Sequence, residues 1–326
     1  MTAQESNEVV FGTTMCRRDI HYGRALLASI NYFYPNHSIK VICALDVTHA
    51  ERAELSEFPN VEVFGVGELI DKYKLNFHGC LQDLFFLLMD DEKILYCDSD
   101  SVLTGPVLEL IDTTKTFFAI IGKWMDMRDE KQRESYIRNA IDLELLPKFC
   151  TSLSSEKLFF IMGCHFFVRP REFPVDELYR CLSEMEYGVG DKFYHGEKHD
   201  TVFKRGDQGF FCYVLNRYFV GTDRFDRRPG VVLECHEDSR KKHGFSWGDV
   251  KRGNANNGFI HFIGYSRKCR LSRHLFGDVL EGFYQQYWRI LGRSSFCADL
   301  RRWFGVFMLD KAKAGFRKIL KVVKRA

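Results

Sequence analysis

The chain has 326 residues, 45% of them hydrophobic and 15% aromatic, and its 47 Lys and Arg against 44 Asp and Glu give a formal charge of +3. A globular chain of this size buries roughly three quarters of the surface its unfolded form exposes, so the composition excludes a disordered chain, a collagen-like fibre and a disulfide-stapled miniprotein. With only 7 Pro and no Ser/Gly-rich tract, a long flexible linker is excluded as well.

The N-terminal stretch has no basic region leading into an apolar one, so no secretory signal is expected. No run approaches the roughly 18 apolar residues of a membrane span. The 11 Cys are scattered with no C-x-x-C pair, which argues against a disulfide framework and a Cys-rich zinc site. They read as small core hydrophobes in a reducing cytosol, as Cys43 and Cys97 inside apolar runs illustrate.

In chain order, Val9 to Thr13 reads as a buried strand. Arg24 to Phe33 reads as a helix with Leu26, Leu27, Ile30 and Phe33 on one stripe, stopped by Pro35-Asn36. Ile39 to Leu45 is a second apolar strand. A short helix near His49–Phe58 and a strand near Val61–Phe64 follow. Leu81 to Leu88 reads as helical, and Lys93 to Cys97 as another buried strand. Strands alternating with helices at this spacing predict βαβ units and a mostly parallel sheet. Ligands of such sheets bind beyond the carboxyl ends of the strands, here Thr13–Arg18, Asp46 and Asp98 onward. Further on, Phe117–Ile121 and Phe159–Val168 read as strands and Asp207–Arg217 as a helix. Residues 235–258, spotted with Gly, read as an exposed loop. Phe259–Ile263 reads as a short strand, and the pattern from Leu271 to the end is helical.

The chemistry concentrates at Asp98-Ser99-Asp100, directly after the apolar Ile94 to Cys97. Carboxylates at i and i+2 on an extended backbone point to the same face. Two hard oxygen ligands so placed suit Mg²⁺ or Mn²⁺, with open positions left for phosphate oxygens. The alternative is a strand-end turn whose Asp side chains cap neighbouring amides.

The segment from Lys93 to Leu110 resembles the metal-binding segment of family 8 glycosyltransferases. Three more segments agree in order. Ala25 to Ile30 with Tyr34-Pro35-Asn36 is similar to the family's nucleotide-binding start. Gly206-Asp207-Gln208-Gly209 before a helix resembles its Asp-Gln motif, and His261 to Arg267 resembles its H-x-x-G-x-x-K motif. The resemblance covers residues 8 to 270. It implies an α/β GT-A fold, a mixed and mostly parallel sheet flanked by helices, with residues 1–270 as the catalytic domain and 271–326 as a helical extension. It implies a hexosyltransferase that draws on a nucleotide sugar, UDP-linked in most members, with retention. His261 would complete the Mn²⁺ or Mg²⁺ shell with Asp98 and Asp100. Gly264 would let the backbone approach the diphosphate, and Arg267 or Lys268 would neutralise it. Gln208, with Asp207 before it, would stand near the reacting sugar carbon. Thr13, Thr14 and Asp19 are candidates for base or ribose contacts, and Asp126 for the donor sugar. Two departures touch donor-sugar recognition. Ile161-Met162-Gly163-Cys164-His165 stands where the family has Asn-x-Gly, and residues 75–92 contain no Lys or Arg.

The last segment changes the meaning of the net charge. Residues 299–326 hold nine Lys and Arg against two Asp, +7, which leaves the other 298 residues at −4. Leu300, Trp303, Phe304, Phe307, Met308, Phe316, Ile319, Leu320 and Val323 recur there at helical spacing. A basic amphipathic helix with Trp and Phe suits an anionic membrane surface, and a lipid-linked or glycan acceptor would give such a tail a purpose. The expected location is cytoplasmic, peripheral on the membrane. No recognition motif points to nucleic acid. Two other classes compete: an Asp-x-Asp phosphohydrolase, and a non-catalytic membrane-docking protein.

Overall fold

Apolar runs of strand length, separated by turn residues, build most of the central sheet. The computed structural model describes residues 9–74, 79–122, 130–150, 165–185, 206–234, 244–255, 258–262 and 276–294, with Leu153, Leu158, Val202 and Phe203 besides. The first half holds β1 (Val9–Met15), α1 (Ile20–Phe33), β2 (Ile39–Cys43), α2 (His49–Ser56), β3 (Val61–Gly65), α3 (Val66–Tyr73), a 3-10 segment (Gly79–Leu88), β4 (Lys93–Cys97), β5 (Ser101–Leu103) and β6 (Phe117–Gly122). There follow α4 (Glu130–Ala140), α5 (Leu146–Phe149), β7 (His165–Val168), α6 (Val175–Met185), α7 (Gly206–Tyr218), β8 (Phe225–Glu234), α8 (Trp247–Lys251), β9 (Phe259–His261) and α9 (Gly277–Ile290).

The strands form one sheet in the order β3-β2-β1-β4-β7-β6-β8-β9-β5. β1 runs parallel to both β2 and β4, as do β2 and β3, β6 and β8, and β8 and β9. β7 is antiparallel to its neighbours β4 and β6, and β5 is antiparallel to β9. The expected α/β class, mixed and mostly parallel, is what forms.

Alternation along β4 shows how the two faces are covered. Leu95 and Cys97 enter a core shared with α1 and α9, and Ile94 and Tyr96 enter one shared with the 3-10 segment and α7. Burial on both faces explains why Ile94 to Cys97 is an unbroken apolar run. On the first face Arg24 of α1 forms a two-pronged ion pair with Glu54 of α2 at 2.8 and 2.9 Å. Tyr287 of α9 donates to the same carboxylate at 3.1 Å.

Several elements differ from the sequence reading. α1 begins at Ile20 because Ile20, His21, Tyr22 and Gly23 are already buried. A Cβ on Gly23 would lie 2.5 Å from the Met15 sulfur, so a larger residue there would have to push the buried Met15 side chain aside. The 81–88 segment is a 3-10 helix. Leu84, Phe85, Phe86 and Leu87 are all buried, so no one-sided stripe selected the 3.6-residue period. Within 235–258, α8 forms where a loop is expected. Ser246 and Asp249 cap each other's backbone amides there, a local signal hidden among the glycines. The helical pattern from Leu271 is broken after α9, where Gly292 adopts φ 65°. The expected tail at 299–326 lies outside the described residues, as do 159–164 and 263–275. Among the described residues no helix is long and apolar enough to cross a membrane.

Candidate metal centre

β4 delivers Asp98 to the carboxyl edge of the sheet, and a tight turn follows. The Ser101 amide and hydroxyl both donate to the Asp98 carbonyl, at 3.1 and 2.6 Å. The turn leads into β5, whose antiparallel pairing sets Ser101 opposite His261. The Phe262 amide donates to the Asp100 carbonyl at 2.7 Å. These backbone bonds fix the two carboxylates and the imidazole against one another. His261 Nε2 lies 3.0 Å from Asp100 Oδ1 and 3.5 Å from Asp98 Oδ2. His261 is buried, and the Asp98 and Asp100 side chains are 31% and 24% exposed, so the centre opens to solvent on the carboxylate side.

One ligand atom from each of the three residues lies within 4.8 Å of the others. Two carboxylate oxygens and an imidazole nitrogen form a donor set that fits Mn²⁺ or Mg²⁺. Burial alone would raise the Asp100 carboxyl, but the adjacent His261, through charge and hydrogen bond, holds it below its ordinary value.

Behind the ligands stands a polar relay that the sequence reading missed. The Tyr96 hydroxyl donates to Asp98 Oδ1 at 2.9 Å and lies 3.0 Å from Thr14 Oγ1. A phenol has one proton, so with that proton on Asp98, Thr14 is the donor to the tyrosine oxygen. Burial, with the Asp98 charge adding to it, pushes the Tyr96 phenol well above its ordinary value, which keeps that proton in place. The available signal was Tyr96 two residues before Asp98, hence on the same strand face.

A second residue went unread. His165 opens β7 opposite Cys97, is fully buried, and among the described residues has a hydrogen-bond partner on neither ring nitrogen. Its ring meets that of His261 edge-on, with centroids 5.3 Å apart. Burial, with His261 adding to it, keeps the His165 imidazole neutral by pushing its pKa well below the ordinary value.

Of the other expected site residues, Thr13 is fully buried and its hydroxyl has no hydrogen-bond partner among the described residues. Thr14 is committed to the relay. Asp19 precedes α1 without capping it by side chain; its carboxylate instead holds Arg18 and accepts from the Cys16 thiol at 3.1 Å. Asp207 and Gln208 lie in the first turn of α7. Phe211 of α7 packs on Phe166, next to His165, at 4.9 Å, and Phe219 just beyond α7 packs on Phe173 at 5.6 Å. The helix therefore runs away from the metal-centre edge, with Gln208 at the near end. Gln208 Oε1 is buried without a partner among the described residues. Asp126, Gly264, Arg267 and Lys268 lie outside the described residues.

No protein-family model matches the sequence, and no curated protein matches it. Solved structures match the fold. A crystal structure of the galactosyltransferase LgtC in complex with donor and acceptor sugar analogs aligns with TM-score 0.51 and 12% identity, covering 85% of this chain and 95% of that one. An active-site mutant of LgtC aligns with TM-score 0.53 and 12% identity over 85% and 94% of the two chains. The bifunctional glycosyltransferase WbbM, in its apo form, gives 0.51 and 14%, covering 88% of this chain and 51% of that one. This chain spans about half the length of WbbM. The likeness is one of fold: the chain has the GT-A architecture of these glycosyltransferases, as the sequence resemblance implies.

Proposed function

We propose that this chain is a metal-dependent glycosyltransferase that moves a hexose from a UDP-linked donor, with retention, to a glycan or lipid-linked acceptor at the cytoplasmic face of a membrane. The observation that carries the reading is the meeting of Asp98, Asp100 and His261, with a residue separation of 161 between the last two, at the carboxyl edge of a GT-A sheet. These three residues hold Mn²⁺ or Mg²⁺ in this reading. A bound divalent ion supplies electrophilic stabilisation of the negative charge that builds on the departing diphosphate.

The chain's own groups do the rest. Tyr96, backed by Thr14, fixes one oxygen of Asp98. Thr13 and Asp19 stand near the base and ribose, Gly264 with Arg267 or Lys268 at the diphosphate, and Asp126 at the donor sugar. Gln208, with Asp207 beside it, faces the sugar carbon. A neutral amide is a poor nucleophile, so Gln208 orients the donor and the acceptor attacks on the leaving-group side. Residues 1–270 form the catalytic domain, 271–326 the helical region, and 299–326 the membrane contact.

Thermal denaturation with UDP and Mn²⁺ tests this reading. A ligand at a hundredfold excess over its Kd stabilises the native state by about 2.7 kcal/mol, so the midpoint should rise with both present, and Asp98→Ala or Asp100→Ala should abolish the rise. An unchanged wild-type midpoint with every nucleoside diphosphate and metal tried would overturn the assignment, as would metal-dependent donor turnover retained in either variant.

A further inference from the structure

We propose that Arg18 is a donor-binding residue that presents its guanidinium fork to the diphosphate of the nucleotide held at the Asp98–Asp100–His261 centre. The inference rests on the transferase reading above and adds a contact that none of the matched motifs supplies.

The first ground is position. β1 and β4 are parallel neighbours with Gly12 beside Tyr96, so the chain leaving β1 emerges next to the chain leaving β4 at Asp98. Arg17 and Arg18 stand in that exit, and they diverge. The Arg17 amide donates to Asp46 at 3.0 Å and its guanidinium lies 3.7 Å from Glu51, which ties it to the far side, toward α2. Arg18 turns instead onto Asp19, Nε to Oδ1 at 3.2 Å and Nη2 to Oδ2 at 2.8 Å.

The second ground is that the mount is rigid and adjoins the centre. Asp19 is 7% exposed, accepts from Cys16, and takes the Tyr22 and Gly23 amides on its carbonyl. The Tyr22 ring lies 5.8 Å from that of Phe262, whose amide is bonded to Asp100.

The third ground is donor geometry. Asp19 offsets the Arg18 charge, so what Arg18 offers a diphosphate is directed hydrogen bonding rather than net charge. A guanidinium carries five N–H donors in a planar fork suited to phosphate. Asp19 engages two of its nitrogens, and the Arg18 side chain is 56% exposed, within reach of an arriving ligand.

The experiment is calorimetric titration of the full chain with UDP and MnCl₂, alongside uridine measured by competition. Arg18→Ala should weaken UDP binding roughly tenfold or more, as expected for a lost charge-assisted hydrogen bond, and leave uridine within about twofold. Arg18→Lys should keep the charge, lose the fork, and fall between. Arg17→Ala should alter neither ligand. Equal losses for UDP and uridine, or unchanged UDP affinity in Arg18→Ala, would overturn the proposal while the transferase reading stands. A wild-type chain that binds no UDP with Mn²⁺ overturns both.

Discussion

Replacing Tyr96 with Phe removes one hydroxyl and leaves the ring in place, stacked on Phe166 at 4.9 Å and beside Phe86 at 5.5 Å. Two polar atoms lose a partner, Asp98 Oδ1 and Thr14 Oγ1. Neither side chain is fully buried, so water replaces much of what is lost, and the cost to folding should be about 1 kcal/mol. The cost to the metal centre should be larger in its own measure. A hydrogen bond behind a ligating carboxylate sets which oxygen it presents and in what direction, and loss of such a bond lowers metal affinity by about 10- to 100-fold. A Mn²⁺ titration of turnover at saturating donor should therefore show half-saturation shifted upward by roughly tenfold or more. The turnover at saturating metal should stay close to wild type, because no group that touches donor or acceptor has changed. Urea unfolding run in parallel should confirm the small stability change. If half-saturation by Mn²⁺ is unmoved in Tyr96→Phe while Asp98→Ala abolishes activity, the relay does not orient the carboxylate and the reasoning fails.

Gly209→Ala should destabilise the fold by about 1–3 kcal/mol in urea unfolding, because a Cβ there would meet the Ala140 carbonyl oxygen at 2.5 Å and Phe203 at 3.1 Å; a variant as stable as wild type would mean that the α4–α7 contact is looser than described. Burial would raise the Glu177 carboxyl, but hydrogen bonds from Arg180, Tyr213 and Tyr218 outweigh it and bring the pKa to about 2 from an ordinary 4.5. A folded pKa below the unfolded one gives stability that is present above the unfolded value and lost as pH falls toward the folded one. Acid unfolding followed from pH 5 down to about pH 2 should therefore be steeper in wild type than in Glu177→Gln, and parallel curves would refute the assignment. Deleting 299–326 should release the protein from vesicles containing anionic lipid in a sedimentation assay, and undiminished sedimentation would exclude the tail as the contact.

The legible parts of the fold are those in which burial on both faces left a continuous apolar run. β1, β2 and β4 read clearly for that reason, and Asp98 and Asp100 stood out because they end such a run. β8 did not read as a strand. Its first half carries Asp226, Arg227 and Arg228, all exposed, and then Pro229, which argues against a ladder position. The sheet accommodates them because the register with β6 shifts at Ile121–Gly122, where Pro229 pairs. Register also explains what was missed at the centre. Tyr96 looks like one more aromatic core residue until β1, 82 positions earlier, places Thr14 on its hydroxyl. His165 looks like an ordinary strand residue until β9 sets His261 edge-on to it. Such pairings depend on which strands become neighbours, and local spacing carries no record of that.

Some of the buried polar atoms without a partner among the described residues lie at the metal-centre edge. Both nitrogens of His165, the Thr13 hydroxyl and Gln208 Oε1 are buried there without a partner among the described residues. Each such group costs about 1–3 kcal/mol relative to a satisfied one, and a phenylalanine at 165 would fill similar space without that cost. Native folds keep conflicts of this kind where a site requires them. Two of the three groups flank the relay and the ligands directly: His165 lies against His261, and Thr13 precedes the Thr14 that backs Tyr96. Gln208 sits at the end of α7 nearest them. The edge that positions the carboxylates thus carries polar groups with no partner among the described residues.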